Sequence, residues 1–412
     1  MTENASKHKG GGGWIDPAGG LRVIVIGLLC LGGLMVYSAG AAVDQQIRLD
    51  RFWEFATIRR LLFVPVCLLI LFIAGHWDLP RMMVWRKPFW LSPIHSLMLL
   101  SLALLVLVMI PSIGTSVNES RRWLRVTLGA YQLTFQPSEL AKWVTVMFLA
   151  AYASWQGAGM RSFLRGFLPT CFLLLLVVGL IGIEDFGTGA LIGIVGLSML
   201  LAAGWRWWHV LCLIPAVGAA FYFLVYGDAY RWHRIMAFFY PEQASETAYH
   251  AQQSIMAIGV GGLWGTGLGQ GTVKLGWLPE DTTDFVFAVI GEELGLFGVG
   301  IVVVLYASFI VLSMMVVWRT QEPFRRLLAL GVSLMIATQA AMNLFVVTAM
   351  APTKGIALPL VSAGGSGLVL TTLAAGVLIH IAEKARSTTE APGRAADSND
   401  YQTSRAVFSI GR

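Results

Sequence analysis

Residues 166–183 have the sequence GFLPTCFLLLLVVGLIGI, a run of 18 residues without a charged side chain. In a helix this run is about 27 Å long at ~1.5 Å per residue, close to the thickness of a bilayer's hydrocarbon core. Because backbone polar groups in lipid must be satisfied within the protein, the run predicts a transmembrane helix. Polar sequence resumes at Glu184 and Asp185, where the predicted span ends.

Similar apolar runs recur along the whole chain. They predict an all-α polytopic integral membrane protein with about ten transmembrane helices. A large extracytoplasmic loop is expected between spans seven and eight. The run at 284–316 is long enough to be strongly tilted or to extend out of the bilayer. The predicted spans are 21–43, 58–75, 91–111, 139–157, 163–183, 187–204, 207–226, 284–316, 325–349 and 358–382.

Composition supports lipid as the main solvent. The 412 residues are 56% hydrophobic and 13% charged, whereas soluble domains carry roughly 25% charged residues. The formal net charge of +6 is small for this length and suits contact with anionic lipid head groups. It forms no basic stripe of the kind that binds nucleic acid, so no nucleic-acid partner is expected. All four cysteines fall in apolar runs, which disfavours a disulfide framework.

Charge distribution predicts the orientation. Residues 1–20 and 385–412 are polar and predicted to be disordered cytoplasmic tails, and 21–384 form the membrane domain. An even number of spans puts both tails on one side, and the positive-inside rule assigns that side to the cytoplasm. The two longest connections, 112–138 and 227–283, then face outward. We therefore expect a multi-pass membrane protein whose two long connections are extracytoplasmic.

Polar motifs follow one another at this outer face. They are Asn118-Glu-Ser-Arg-Arg-Trp123, Gln136-Pro-Ser-Glu-Leu-Ala-Lys142, Glu184-Asp-Phe-Gly-Thr188, Gln253-Ser254, Gly261 to Gly269, Leu278-Pro-Glu-Asp-Thr-Thr-Asp-Phe285, Glu292-Glu-Leu-Gly295, Pro352-Thr-Lys-Gly355 and Leu358 to Ser366. In this order the series resembles the SEDS family (shape, elongation, division and sporulation proteins), with its FtsW and RodA types. The resemblance extends from about the first span to the last. The Pro-Thr-Lys-Gly form is closer to the FtsW type.

The resemblance implies a function. Family members polymerise lipid II, an undecaprenyl diphosphate-linked disaccharide peptide, into glycan strands at the outer leaflet, usually beside a class B penicillin-binding protein. A role in cell division is expected here. Three positions depart from the family's motifs, namely Glu119, Thr282 and Ala363. The departures remove an imidazole and a phenol from the outer face but retain the acidic residue that follows Thr283.

The implied reaction needs a base and cations. It moves a sugar from a polyprenyl diphosphate to a sugar hydroxyl, so a carboxylate must take up the hydroxyl proton. Asp284 matches the family's catalytic aspartate, although a carboxylate at a helix start can also be a cap. The leaving diphosphate needs positive charge, from Arg, Lys or a divalent cation such as Mg²⁺ or Mn²⁺. No His/Cys cluster indicates a resident metal site.

Several outer residues are predicted to bind the substrate. Arginine and lysine would pair with diphosphate, and tryptophan would pack on sugar or lipid. The alternatives are interfacial anchoring, lipid head-group contact and loop solvation. The two serines are carried over from the family's last motif. The predicted binding residues are Arg121, Arg122, Trp123, Arg231, Arg234, Lys354, Ser362 and Ser366.

Four further polar residues are assigned structural or supporting roles. Glu139 and Lys142 stand one helical turn apart, which favours a buried ion pair between helices. Asp185 lies in a short turn before Gly187, where a cap and a site role compete. Glu292 lies about 80° around a helix from Asp284 and could face the same cavity. An acid at membrane depth is functional by default, but an internal ion pair or a protonated acid is the alternative.

Two other functions remain open. A lipid II flippase or transporter would use the buried acids as a polar pathway, but the polar residues crowd at one face and no inverted repeat is found. A non-catalytic scaffold for a transpeptidase is compatible with the altered motifs. The glycine run 261–269 lacks the lysine and preceding strand of a phosphate loop, so nucleotide binding is not expected.

Overall fold

The computed structural model describes residues 16–41, 56–76, 93–117, 120–128, 131–240, 245–271, 283–363 and 365–390. Within these residues the chain forms twelve α-helices and one small sheet. The helices are α1 Pro17–Ala41, α2 Ala56–His76, α3 Pro93–Met109, α4 Pro137–Gln156, α5 Leu168–Glu184, α6 Phe186–Ala202, α7 Trp207–Phe221, α8 Ala229–Phe239, α9 Ser245–Gly261, α10 Val286–Arg319, α11 Pro323–Val347 and α12 Gly365–Glu390.

Each predicted span coincides with a helix, so the prediction of a polytopic helical membrane protein is confirmed. In the described part of the chain, six helices are long and apolar enough to cross a membrane, and three more apolar helices are shorter. Helix α4 is less apolar because it carries Glu139 and Lys142. The number of spans, ten, remains a prediction.

Helix α11 packs against α4, α6, α10 and α12, and α1 packs against α10 and α12. Small and aliphatic residues of these helices, such as Val144, Val195 and Ile336, are buried. Large apolar side chains elsewhere are exposed, for example Phe172 (69%) and Phe223 (73%). Exposed side chains of this kind suit contact with lipid tails, which are as apolar as they are.

A three-stranded antiparallel sheet lies in the connection 112–138, where no strand was predicted. Its strands are β1 Gly114–Val117, β2 Ser120–Leu128 and β3 Tyr131–Phe135, in the order β1-β2-β3. Two β-prone runs separated by the two residues Gly129 and Ala130 are a hairpin signal, which the apolar-run criterion for helical spans does not detect. The sheet places Arg121 and Arg122 on a strand beside the C-terminal end of α5.

The connection 227–283 contains helices α8 and α9. Because α8 is helical, Arg231 and Arg234, three residues apart, lie on one face of it. Residues 272–282, including Thr282, lie outside the described part of the chain, as do Glu119 and Gly364.

Helix α10 has 34 residues and is interrupted once; that it is strongly tilted or extends out of the bilayer remains a prediction. Its backbone breaks at Gly295, where φ is +65° and ψ is −163°, a combination that is essentially restricted to glycine. The glycine-rich turn, residues 261–269, packs against this break. Thr266 N and Gly267 N donate to Glu292 O and Glu293 O at 2.9 and 3.1 Å, which satisfies carbonyls that the break leaves without helical partners.

The first and last helices differ in extent from the prediction. Helix α1 begins at Pro17, and α12 continues to Glu390, six residues beyond 384. The last span begins at Gly365 instead of 358, because Pro359 lies in a turn that a proline favours over a helix interior. The predicted tails, apart from these helical ends and Asp16, lie outside the described residues.

Candidate functional site

Asp284 lies in the turn that precedes α10, and it is partly exposed. Its carboxylate approaches the backbone of the loop that follows α11. A Cβ atom at Gly355 would lie 2.5 Å from Asp284 Oδ2, closer than any real side chain could tolerate. Gly355 is therefore the residue that lets the carboxylate reach this loop, and Lys354 is its neighbour.

Two side chains tie the Asp284 segment to the loop. Asn343 Nδ2 donates to Asp284 O at 2.8 Å and to Ile356 O at 2.7 Å. Ser362 Oγ donates to Thr283 O and accepts from Leu358 N. Ser362 is 2% exposed, which favours a role in shaping this segment over direct substrate contact.

Lys354 lies among other charges in the loop that follows α11. Its Nζ is 3.7 Å from the centre of the Phe186 ring. Burial, together with the neighbouring guanidinium groups of Arg231, Arg234 and Arg122, lowers the pKa of Lys354 to about 8, against the opposing effect of Asp185. Arg122 on β2 and Arg231 and Arg234 on α8 are thus close enough to Lys354 to affect its pKa.

The arginines of α8 face the end of α5. Arg231 Nη1 donates to Gly182 O and Leu224 O at 2.9 and 3.0 Å, Nη2 donates to Ile183 O, and Nε pairs with Asp228 at 3.2 Å. Arg234 Nη1 donates to Thr353 O at 3.5 Å. Arg231 therefore binds carbonyls that a helix C-terminus leaves without partners.

The arginines of β2 contact the turn between α5 and α6. Arg121 N donates to Glu184 Oε2 at 2.7 Å, and Arg122 Nε donates to Glu184 O at 3.0 Å. Arg122 Nη1 lies 3.4 Å from Asp185 Oδ2. Trp123 pairs with Thr115 in the sheet and is partly exposed.

Asp185 has the capping role that the sequence offered, and its role in a site remains a prediction. Its Oδ1 and Oδ2 accept from Thr188 N at 3.1 Å and Thr188 Oγ1 at 2.9 Å, which caps α6. Its carboxylate also pairs with Arg122, and its charge opposes the lowering of the pKa of Lys354. The cap therefore fixes a negative charge inside the cationic cluster.

Glu139 and Lys142 form the predicted buried pair. Lys142 Nζ donates to Glu139 Oε2 at 2.8 Å and to Gln339 Oε1 of α11 at 2.9 Å. A Cβ at Gly367 would lie 3.0 Å from Glu139 Oε2, so α12 also contacts the pair. Beside them, Gln136 N donates to Ser366 Oγ at 3.4 Å. The pair joins α4 to α11, as expected for a supporting role.

Glu292 lies in different surroundings from Asp284. Both Glu292 (0% exposed) and Glu293 (1%) are buried beneath the glycine-rich turn. A Cβ at Gly271 would lie 2.7 Å from Glu292 Oε2. Ser38 Oγ donates to Glu293 Oε2 at 2.5 Å. These contacts place Glu292 within the packing at the helix break and favour a supporting role there.

Two residues of this network were missed from the sequence. Gln339 and Asn343 lie four residues apart on α11, within a predicted span. Polar side chains at membrane depth are costly unless they are bonded to a partner, and this rule, applied to amides as well as acids, would have selected both. Among the described residues, no three His, Cys, Asp or Glu side chains are placed to hold a metal ion.

Comparison with known proteins identifies relatives along most of the chain. Residues 20–387 match the cell cycle protein family of FtsW, RodA and SpoVE. A probable peptidoglycan glycosyltransferase FtsW of Geobacter metallireducens is 34% identical over 370 residues, covering 89% of this chain and 95% of the relative. The stage V sporulation protein E of Bacillus subtilis is 35% identical over 368 residues, covering 89% and 97%.

Solved structures share the fold. A chain from a structure described as the coordination of polymerization and crosslinking by a peptidoglycan synthase complex aligns with TM-score 0.70 and 25% identity, covering 89% of this chain and 97% of its own. The rod shape determining protein RodA of Thermus thermophilus aligns with TM-score 0.61 and 24% identity, covering 89% and 96%.

Proposed function

The chain belongs to the cell cycle protein family of FtsW, RodA and SpoVE, and from this premise we propose that it is a peptidoglycan glycosyltransferase. It polymerises lipid II into glycan strands at the outer face of the cytoplasmic membrane. The observation that carries the proposal is the Asp284 carboxylate beside Gly355, next to the lysine around which three arginines gather.

Asp284 is proposed as the general base. The attacking sugar hydroxyl transfers its proton to the carboxylate while its oxygen forms a bond to the sugar carbon that carries the diphosphate. The bond from that carbon to the diphosphate oxygen breaks, and the lipid diphosphate leaves. A partly exposed carboxylate at the mouth of a helix bundle is accessible to such a hydroxyl, whereas a fully buried acid would not be.

The cationic cluster is proposed to bind the diphosphate. Negative charge builds up on the leaving oxygens during the reaction. Cations that are already held in position stabilise this charge well because they need not reorient. Arg122 and Arg231 are held by backbone carbonyls at the α5–α6 turn. Lys354 is the cation nearest along the chain to Gly355, which contacts the base. Arg121, Trp123 and Ser366 are proposed to contact the sugars or the lipid.

A divalent cation remains a proposal. The described residues offer no cluster of three ligands to hold it. Magnesium commonly takes most of its oxygen ligands from substrate phosphates and water, with one or two carboxylates from the protein. A carboxylate such as that of Asp284 suits that accompanying role.

The partner and the cellular role are also proposed. The curated relatives are named FtsW or stage V sporulation protein E, and one structural relative comes from a peptidoglycan synthase complex. We therefore assign this chain to cell division, in the bacterial inner membrane, beside a class B penicillin-binding protein that crosslinks the strands.

Purified protein in detergent, incubated with labelled lipid II, tests the function. Glycan polymer is expected from the native chain and none from Asp284→Ala. Because detergent contains no membrane to cross, polymer formation there cannot arise from transport. Full complementation of a depletion strain by Asp284→Ala would instead support the scaffold function and contradict the enzyme.

A further inference from the structure

Helix α11 carries two amide side chains toward the loop that follows it. Gln339 Nε2 donates to Ala357 O at 2.8 Å, and one turn later Asn343 Nδ2 donates to Ile356 O at 2.7 Å. The two amides, spaced i and i+4, thus hold consecutive carbonyls of the loop that contains Lys354. This arrangement joins a membrane helix to the segment that supplies the cation.

Asn343 also contacts the segment that supplies the base. The same Nδ2 donates its second hydrogen to Asp284 O at 2.8 Å. One nitrogen atom is therefore shared between the main chain of Asp284 and the main chain two residues after Lys354. A single amide group thereby sets the distance of both segments from α11.

The cost of placing Asn343 there indicates a specific use. The side chain is 1% exposed, and its Oδ1 has no hydrogen-bond partner among the described residues. A buried acceptor without a partner destabilises a fold. The buried amide donates both of its hydrogens to main-chain carbonyls of two segments, which ties the position of one segment to that of the other.

We propose that Asn343 is a positioning residue for the transfer reaction, acting through Asp284 and Lys354. It holds the carboxylate and the ammonium group at the separation that the attacking hydroxyl and the leaving diphosphate require. Ser362, which donates to Thr283 O, is the second tie on the same segment. The inference rests on the proposed glycosyltransferase function and adds to it a residue that touches neither substrate.

The test measures kcat and KM for lipid II in Asn343→Asp, which keeps the shape and Oδ1 but loses the donor. Misplacement of reacting groups by about 1 Å lowers rates by up to ~100-fold. We expect kcat per folded molecule to fall about 10- to 100-fold, with KM within about twofold, because the arginines that bind diphosphate are unchanged. Asn343→Leu, which removes the donor without adding charge, provides the same comparison if Asn343→Asp does not fold.

Val332→Ala is the matched control. Val332 is buried on the same helix (2% exposed), about three turns before Asn343. It should lower thermal stability but leave kcat of the folded protein unchanged. Native kcat in both Asn343 variants, a change confined to KM, or an equal loss of kcat in Val332→Ala would overturn the positioning role. If the native protein itself forms no polymer, the proposed function is overturned. This outcome differs from failure of the positioning role, in which the native protein is active and the Asn343 variants are equally active.

Discussion

Two acidic sites lie within nine residues of each other at the start of α10, and their surroundings differ. Asp284 is partly exposed and approaches the loop of Lys354. Glu292 and Glu293 are buried beneath the glycine-rich turn, beside Ser38. Asp284 combines access with neighbouring cations, which suits its proposed role as the base. Glu292 and Glu293 are buried against hydroxyl and backbone groups, which suits a role in holding helices together.

The largest effect is expected from Asp284→Asn. The substitution keeps size and hydrogen bonding but removes the base, and general base catalysis contributes roughly 10²- to 10⁴-fold to a rate. Polymerisation of labelled lipid II should fall by about that factor with little change in thermal stability. Equal losses in Asp284→Asn and Glu293→Gln would remove the distinction between the two sites.

Gly295→Ala should disrupt the buried site. The backbone conformation at Gly295 costs a non-glycine residue about 1–3 kcal/mol, and a Cβ there would lie 2.4 Å from Gly265 N. We expect a marked decrease in the melting temperature in detergent. Gly300→Ala, on the same helix at a position where an added Cβ would meet nothing within 4 Å, should not decrease it. A decrease of the same size there would contradict the strain argument.

Glu293→Ala should affect stability more than catalysis. It removes the hydrogen bond from Ser38 Oγ to Glu293 Oε2, and a hydrogen bond contributes roughly 0.5–1.5 kcal/mol to stability. The unfolding midpoint should fall, while kcat of the folded fraction stays within about twofold of the native value. A selective loss of kcat would show that the helix break also serves the reaction.

The smallest effect concerns the pH dependence of Lys354. Its pKa in the folded protein is lowered from 10.5 to about 8, so the ammonium form is lost as pH rises through about 8. The stability penalty of charging this buried lysine is then full below pH 8 and absent above 10.5, so this group makes the fold more stable as pH rises between them. Polymerisation that needs the cation should fall about tenfold at pH 9 relative to pH 7.

Lys354→Arg is the control for this dependence. Arginine stays charged at pH 9, so the variant should lose the decline between pH 7 and pH 9 even if its activity at pH 7 is lower. A parallel decline in Lys354→Arg and the native chain would assign the pH dependence to another group.

The spans could be predicted from residues close in sequence because lipid imposes a length and an apolar composition on each one. The sheet and the break at Gly295 also have short-range signals, but these are weaker than the long apolar runs that surround them. The pairing of Glu139 with Lys142 could be predicted as well, since their spacing on one helix fixes their proximity.

The sequence by itself determined a helical membrane protein, and its motifs predicted Asp284 as the base and a set of cations as substrate ligands. Only the tertiary structure decided which of them lie close together: Lys354 is near enough to Arg122, Arg231 and Asp185 for their charges to affect its pKa, and Asp284 lies against Gly355. Asn343 joins segments 59 and 13 residues away in sequence. Contacts at such separations depend on how helices pack, which no local pattern of apolar and polar residues specifies.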